Sequence, residues 1–500
     1  MTMAWLKRWV QRHPVKSRRI LEVAPGMVSW SLILFPIWGS LVVPLAVAYY
    51  VLAFAIYWLY RSVSVAVLAL VGHFRIQAAL RYDWLGDVAV FPDWTEVHHV
   101  ILIPTFKEPL HTLVRTLKGL QQQTYPKRKL HVVVSFEGRE GEEAKIKARE
   151  LTKEFGRVFG DLVVTSHPEI AGEVKGKSAN MAWAAKVAAK EVVRQKKLAV
   201  DYVTVTNEDA DVILSPNYFA CLTYQFLDHP KRWRRIWQPA VMYYNNIWRV
   251  PAPIRVLATV WSVVQIYLLT RQETLINFST YSTSFKMIAK IGFWDTDVIP
   301  EDYRLFFKSW FYFKGGIEVE PIWLPALADA AESTSYWRTL ANQYQQVKRW
   351  AWGVSDNAYV VKQWIAAEKV PVWKKTFWLF KFWEIHFLWP VHWFAITVGA
   401  FFPPLLNPVF ARTMLGKTLP QVTSTILILS LVALVTVWLV HIRERPKHPD
   451  QTSVWRRMLM PFELLLLPIL GFFFSFLPGL DAHTRLMLGR YIDYRVTEKV

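Results

Sequence analysis

Cysteine is nearly missing from this chain: Cys221 stands alone among 500 residues. A single thiol excludes intrachain disulfides and cysteine-built zinc sites, and suits a chain facing a reducing cytosol. Acids are scarce too. Lys and Arg number 59 against 39 Asp and Glu, a formal charge of +20. Such an excess fits nucleic acid, an anionic membrane surface or phosphorylated substrates. No zinc-finger or basic-zipper pattern is present, so nucleic acid is set aside as a partner. There is no internal repeat at solenoid or propeller spacing and no low-complexity linker. Charge itself is missing from long stretches: between Met27 and Phe74 the one charged residue is Arg61.

What remains is apolar and aromatic, with 53% hydrophobic residues, 26 Trp and 30 Phe. The first 26 residues are basic, and the run 27–74 is longer than the roughly 20 residues one membrane helix needs. It predicts a transmembrane hairpin turning between Gly39 and Pro44. It is too long for a cleaved signal peptide. Basic residues flank both of its ends, which places both on the cytosolic side. Two further apolar runs, near 377–402 and 422–440, predict a second hairpin over 377–441. The basic stretch 441–457 returns it to the cytosol. Residues 458–478 are apolar but hold Glu463, Pro461, Pro468 and Pro478, and are expected to form an interfacial or re-entrant element within a cytosolic segment 442–500.

Between the hairpins lies the one long soluble block, 75–335, followed by interfacial helices over 336–376. Runs such as "HVILIP" (99–104), "LHVVVSF" (130–136) and "DYVTVT" (201–206) alternate with helical stretches such as 109–123 and 177–197. That alternation predicts an α/β domain with a mostly parallel sheet, whose ligands bind at the carboxyl ends of the strands.

Polar motifs fall in order on this block. "PTFKEP" (104–109) and "SFEG" (135–138) end two strands. "GKSAN" (176–180) opens a helix whose Lys177 can meet an anion. "NEDAD" (207–211) ends a third strand. If the chain stays extended there, Asp209 and Asp211 point to one side, a pair suited to Mg²⁺ or Mn²⁺ holding a diphosphate. "PEDYR" (300–304) and "QQVKRW" (345–350) follow. Each has an ordinary reading alone, as a turn, an N-cap or an interfacial basic-aromatic helix. The ordered set is harder to dismiss.

This series resembles the membrane-embedded members of glycosyltransferase family 2, such as cellulose, chitin and hyaluronan synthases and glucosylceramide synthase. Their D…D-x-D…E-D…Q-x-x-R-W pattern is read here as Glu137, Asp209–Asp211, Glu301–Asp302 and Gln346–Trp350. The resemblance covers about residues 98–355. It implies a GT-A, Rossmann-like nucleotide-diphospho-sugar transferase domain inserted between transmembrane helices. It also implies an inverting sugar transfer from a nucleotide-sugar, UDP-linked in most of the family, to a saccharide or lipid acceptor. Residue by residue, it implies that Thr105 and Glu108 line the nucleoside pocket and Glu137 holds the base. Lys177 and Asn180 would lie near the nucleotide. Asp209 and Asp211 would bind metal and diphosphate, with Glu301 beside Asp302, the general base. Gln346 and Arg349 would contact the diphosphate, and Trp350 would carry the acceptor sugar. "YRVTEK", 494–499, resembles the gating loop of cellulose synthases, with Thr497 and Lys499 reaching the diphosphate. Two positions depart from the pattern: Phe106 stands for the usual Tyr, and Phe136-Glu137 for the usual pair of Asp.

Physical chemistry agrees with that reading. A departing diphosphate needs cations, and an acceptor hydroxyl needs a base. A polysaccharide product and a glycolipid product both stay open. Two rivals from other classes are a transporter or channel with a nucleotide-sensing domain and a scaffold that binds sugar nucleotides without turnover.

Overall fold

The computed structural model describes residues 3–447 and 458–493. It divides into two compact units: 71–251 with 264–342, and 1–70 with 252–263 and 343–492.

The first unit is built on an eight-stranded sheet. Its strands are β1 (His98–Thr105), β2 (Leu130–Glu137), β3 (Asp161–His167), β4 (Val203–Asn207), β5 (Ile213–Leu214), β6 (Arg235–Met242), β7 (Tyr281–Ser284) and β8 (Glu318–Leu327), in the spatial order β3-β2-β1-β4-β7-β6-β8-β5. β1, β2, β3 and β4 run parallel. β7 enters antiparallel to both β4 and β6, so the sheet is mixed where the sequence pointed to a mostly parallel one. The reason is local. "YSTS" is a short run of hydroxyl residues with none of the apolar alternation that announces a strand. β2, β4 and β6 are buried at every position, as strands covered on both faces must be. The architecture of this unit is the α/β type that the alternation of strands and helices implied.

One helix positions the site more than the others. Lys177–Ala188 holds five alanines, whose small side chains allow close approach to β1 and β2. Gly176 turns the chain into it at φ +147°, a conformation that suits only glycine. Because β1 to β4 are parallel, their carboxyl ends share one edge. That edge carries Thr105, Glu137, His167 and the acids after Asn207.

At the opposite end of these strands, imidazoles cluster. His98 Nδ1 lies 2.8 Å from His131 Nε2, and His131 Nδ1 lies 2.5 Å from Asp161. His99 is fully buried between Thr204 and Thr223, at 2.6 and 2.9 Å. Burial, with Lys129 and His131 nearby, pushes His98 down to about 4. Burial also lowers His99 and His131. The unfolded chain therefore takes up these protons first as pH falls. Stability is expected to decline from about pH 6.5 toward about pH 4. Melting curves of the purified chain across that window check this, and a flat midpoint would contradict it. His99→Gln should flatten the decline.

The second unit is helical. Five described helices are long and apolar enough to cross a membrane: Pro14–Val42, Pro44–Arg81, Ala252–Leu269, Met414–Glu444 and Met460–Met487. Many of their large side chains face outward, among them Trp38, Leu41, Val42, Ile428 and Val432. That surface is the one an integral membrane protein presents to lipid. The first hairpin breaks at Val43, inside the expected turn. The rest departs from the expected layout. The run 377–402 is not one span: Val372–Leu388 ends before Pro390, and short helical pieces follow. Ala252–Leu269 had been counted in the soluble block. Residues 458–478 belong to a helical run with the length and composition of a span, where an interfacial or re-entrant element was expected. Glu463 does not break that run, because Arg255 pairs with it at 2.5 and 2.8 Å.

Candidate active site

The acids after β4 do not stay extended. The chain turns at Ala210 and Asp211, and the two aspartates meet different partners. Asp209 Oδ1 takes Lys177 Nζ at 2.6 Å, and its Oδ2 accepts from Ser279 Oγ at 2.6 Å. Asp211, buried, accepts from the backbone N–H of Asp329 at 3.0 Å. Asp329 is in turn held by Arg115 at 2.6 and 2.8 Å. Glu208 points into the core with both carboxylate oxygens lacking a partner among the described residues. Burial first and then the charge of Asp209 raise it well above the usual carboxylate range.

Lys177 bridges two acids. Besides Asp209 it pairs with Glu301 Oε1 at 2.7 Å and donates to the carbonyl of Ser279 at 3.2 Å. Burial lowers its pKa, but Asp209 and Glu301 together outweigh burial and hold it well above the ordinary value.

Asp302 follows at the start of helix Glu301–Tyr312. Its carboxylate accepts from the backbone N–H groups of Ser279 at 3.2 Å and Tyr303 at 2.8 Å. Burial, then the charge of Glu301, push it up, while Lys177 and the two N–H groups pull it down; the balance is about 7. A carboxylate poised there exchanges protons near neutrality.

Ser279 links these groups, and the sequence reading passed over it. Its N–H goes to Asp302, its hydroxyl to Asp209, and its carbonyl to Lys177 and Asn207. It does so at φ +53°, a strained conformation for a residue with a side chain. The run of hydroxyl residues from Ser279 to Ser284 was the one available signal.

Other expected residues are placed differently. Asn180 is 1% exposed, and both ends of its amide are taken by Ser135, at 2.6 and 2.8 Å. It fastens helix to strand and is not brought to the charged cluster. Thr105 donates to Glu108 at 2.7 Å, and Glu108 also accepts from the N–H of Phe106 at 2.5 Å. That pair clamps a turn in which Lys107 takes φ +64°. Glu137 is buried and pairs with Arg139 at 2.5 Å. These two border a cavity of about 400 Å³ beyond β2 and β3, also lined by His167, Glu173, Lys175 and Gly176.

Gln346, Arg349 and Trp350 belong to the helical unit, on helix Tyr336–Ala351. Trp350 meets Trp261 edge to face, with ring centres 5.5 Å apart. On the same helix Lys348 pairs with Asp481 at 3.2 Å. Thr497 and Lys499 lie outside the described residues.

Among the described residues no three His, Cys, Asp or Glu side chains gather to hold a metal. The hard carboxylate oxygens of Asp209 and Asp211 still fit a cation that takes one or two carboxylates and completes its shell with phosphate.

Residues 205–441 match the family described as "Glycosyl transferase family group 2". No curated protein matches the sequence closely enough to count as a relative. Among solved structures, the chain is similar to the mannosyltransferase PcManGT from Pyrobaculum calidifontis in complex with GDP-Man and Mn2+. That likeness has 15% identity over 88% of this chain and 99% of the other, with a TM-score of 0.43. It is also similar to S. aureus TarS 1-349 in complex with UDP-GlcNAc, at 13% identity over 71% and 95%, with a TM-score of 0.37.

Proposed function

We propose, from the match of residues 205–441 to the family described as "Glycosyl transferase family group 2", a membrane-bound, inverting transfer of sugar from a nucleotide-sugar, UDP-linked by resemblance, to a saccharide or lipid acceptor. The observation that carries this reading is the joint placement of Asp302, Ser279, Asp209, Lys177 and Glu301. Asp302, with a pKa of about 7, directly follows Glu301, one of the two acids that bind the Lys177 ammonium.

Asp302 takes the proton of an acceptor hydroxyl. The oxygen attacks the anomeric carbon from the face opposite the leaving group. The bond from that carbon to the diphosphate oxygen breaks, its electron pair leaves with the diphosphate, and the configuration inverts. Lys177 supplies positive charge where negative charge grows on the leaving group. Mg²⁺ or Mn²⁺, held by Asp209 and Asp211, would add Lewis-acid stabilisation of that diphosphate. Ser279 orients the site, donating its N–H to the base and its hydroxyl to Asp209.

Membranes containing the chain, fed labelled nucleotide-sugars, test the reading and separate its two products. Label in a lipid extract means a glycolipid, and label in an insoluble or high-mass fraction means a polymer. Label in neither fraction, across a broad donor panel, would defeat the proposal. On this reading Trp350 serves the acceptor alone. Trp350→Ala should therefore cut transfer about tenfold or more while leaving hydrolysis of the donor by water unchanged. Equal loss of both reactions would make the Trp350–Trp261 contact a packing element only.

A further inference from the structure

Glu137 is the residue that the motif series places on the nucleobase. Its carboxylate is already committed: Oε2 accepts from Arg139 Nε at 2.5 Å, and the side chain is 8% exposed. Arg139 lies over Phe106, with the guanidinium carbon 3.8 Å from the ring centre. The same side chain lines the cavity beyond β2 and β3. The other charged groups there pair off, His167 with Glu173 at 3.0 Å and Lys175 with Glu169 at 3.0 Å. Arg139 Nη2 is buried and has no hydrogen-bond partner among the described residues.

We infer that Arg139 reads the nucleobase of the donor and selects a base with a carbonyl where cytosine and adenine carry an amino group, that is, uracil or guanine. The inference rests on the nucleotide-sugar reading above and narrows its substrate class. A guanidinium is planar and offers only donors. Glu137 fixes it through Nε and Phe106 lies against the guanidinium, so the unpartnered Nη2 is left to meet an acceptor. Uracil offers O4 at that position, and guanine offers O6 beside N7. Cytosine and adenine present N–H groups there, which leave donor against donor. A buried donor that finds no acceptor weakens binding. The acid that the motif series assigns to the base thus positions a cation, and the polarity of the contact is reversed from acceptor to donor. Phe106 supports this, because it carries no hydroxyl that could accept or donate in place of Arg139.

Calorimetric titration of the full chain in detergent with UDP, GDP, CDP and ADP, in the presence of Mn²⁺, tests the proposal. The wild type should bind UDP, GDP or both at least about tenfold more tightly than CDP and ADP. Comparing UDP with GDP shows which carbonyl base is used. Arg139→Ala should erase the preference by weakening the favoured ligand about tenfold or more and leaving CDP and ADP nearly unchanged. Arg139→Lys keeps the charge but loses the planar fork, and should erase the preference at an unaltered melting midpoint. Glu137→Gln should weaken the preference less than Arg139→Ala. Binding without base preference, or a preference that survives Arg139→Ala, would overturn the role of Arg139 and leave the donor site standing. No binding of any nucleoside diphosphate would remove both.

Discussion

Asp302→Asn is expected to lower kcat by about 10²–10⁴-fold, the usual contribution of a general base, with nucleotide binding nearly intact. The substitution keeps shape and removes proton affinity. Asn keeps an oxygen for one of the two N–H groups, of Ser279 and Tyr303, that now hold the two Asp302 oxygens, and turns its NH2 toward the other. Wild-type turnover should also depend on pH in a defined direction. Burial and Glu301 hold the Asp302 carboxyl up at about 7, so it is protonated below that pH and cannot accept a proton. Activity should therefore fall as pH drops through about 7 and level off above it. Steady-state rates across pH check both statements. A mutant retaining more than about a tenth of wild-type kcat would show that Asp302 is not the base.

Asp209→Ala should be nearly as damaging. It removes one of the two acids that hold Lys177 and the acceptor of the Ser279 hydroxyl. It also removes a hard oxygen ligand for a divalent ion. The expected loss in kcat/KM for the donor is about 10²–10³-fold, the scale of a lost electrostatic contact to a leaving group. Calorimetry with Mn²⁺ and with a chelator provides the sharper test. Mn²⁺ should tighten nucleoside diphosphate binding in the wild type and make no difference in the mutant. A mutant that still responds to Mn²⁺ would move the metal off Asp209.

The sequence already showed which residues carry charge at the edge of the sheet, because strand ends and motif order are local features. It did not show where their side chains turn. Asp209 and Asp211 looked like neighbours on an extended strand, but the turn at Ala210 sends one to Lys177 and the other to the backbone of Asp329. Asn180 and Glu137 sit at the expected positions, yet Ser135 and Arg139 occupy their polar atoms. Ser135, Lys177 and Asp329 come from distant parts of the chain, and no local pattern announces them; Arg139 stands two residues from Glu137, but neither residue type alone announces the pair. Ser279 was missed for the same reason. Composition weighed differently in the helical part. Glu463 and three prolines argued against a plain span at 458–478, yet Met460–Met487 has the length and composition of one, and Glu463 pairs with Arg255.

The central claim is that the acids and Lys177 at the sheet edge turn over a nucleotide-sugar. Purified full-length protein, mixed with Mn²⁺ and a panel of nucleotide-sugars, measures this directly through released nucleoside diphosphate. Release from at least one donor, lost in Asp302→Asn and Asp209→Ala but kept in Asn180→Ala, is the expected result. No release from any donor, or equal release from wild type and both acid variants, would contradict it.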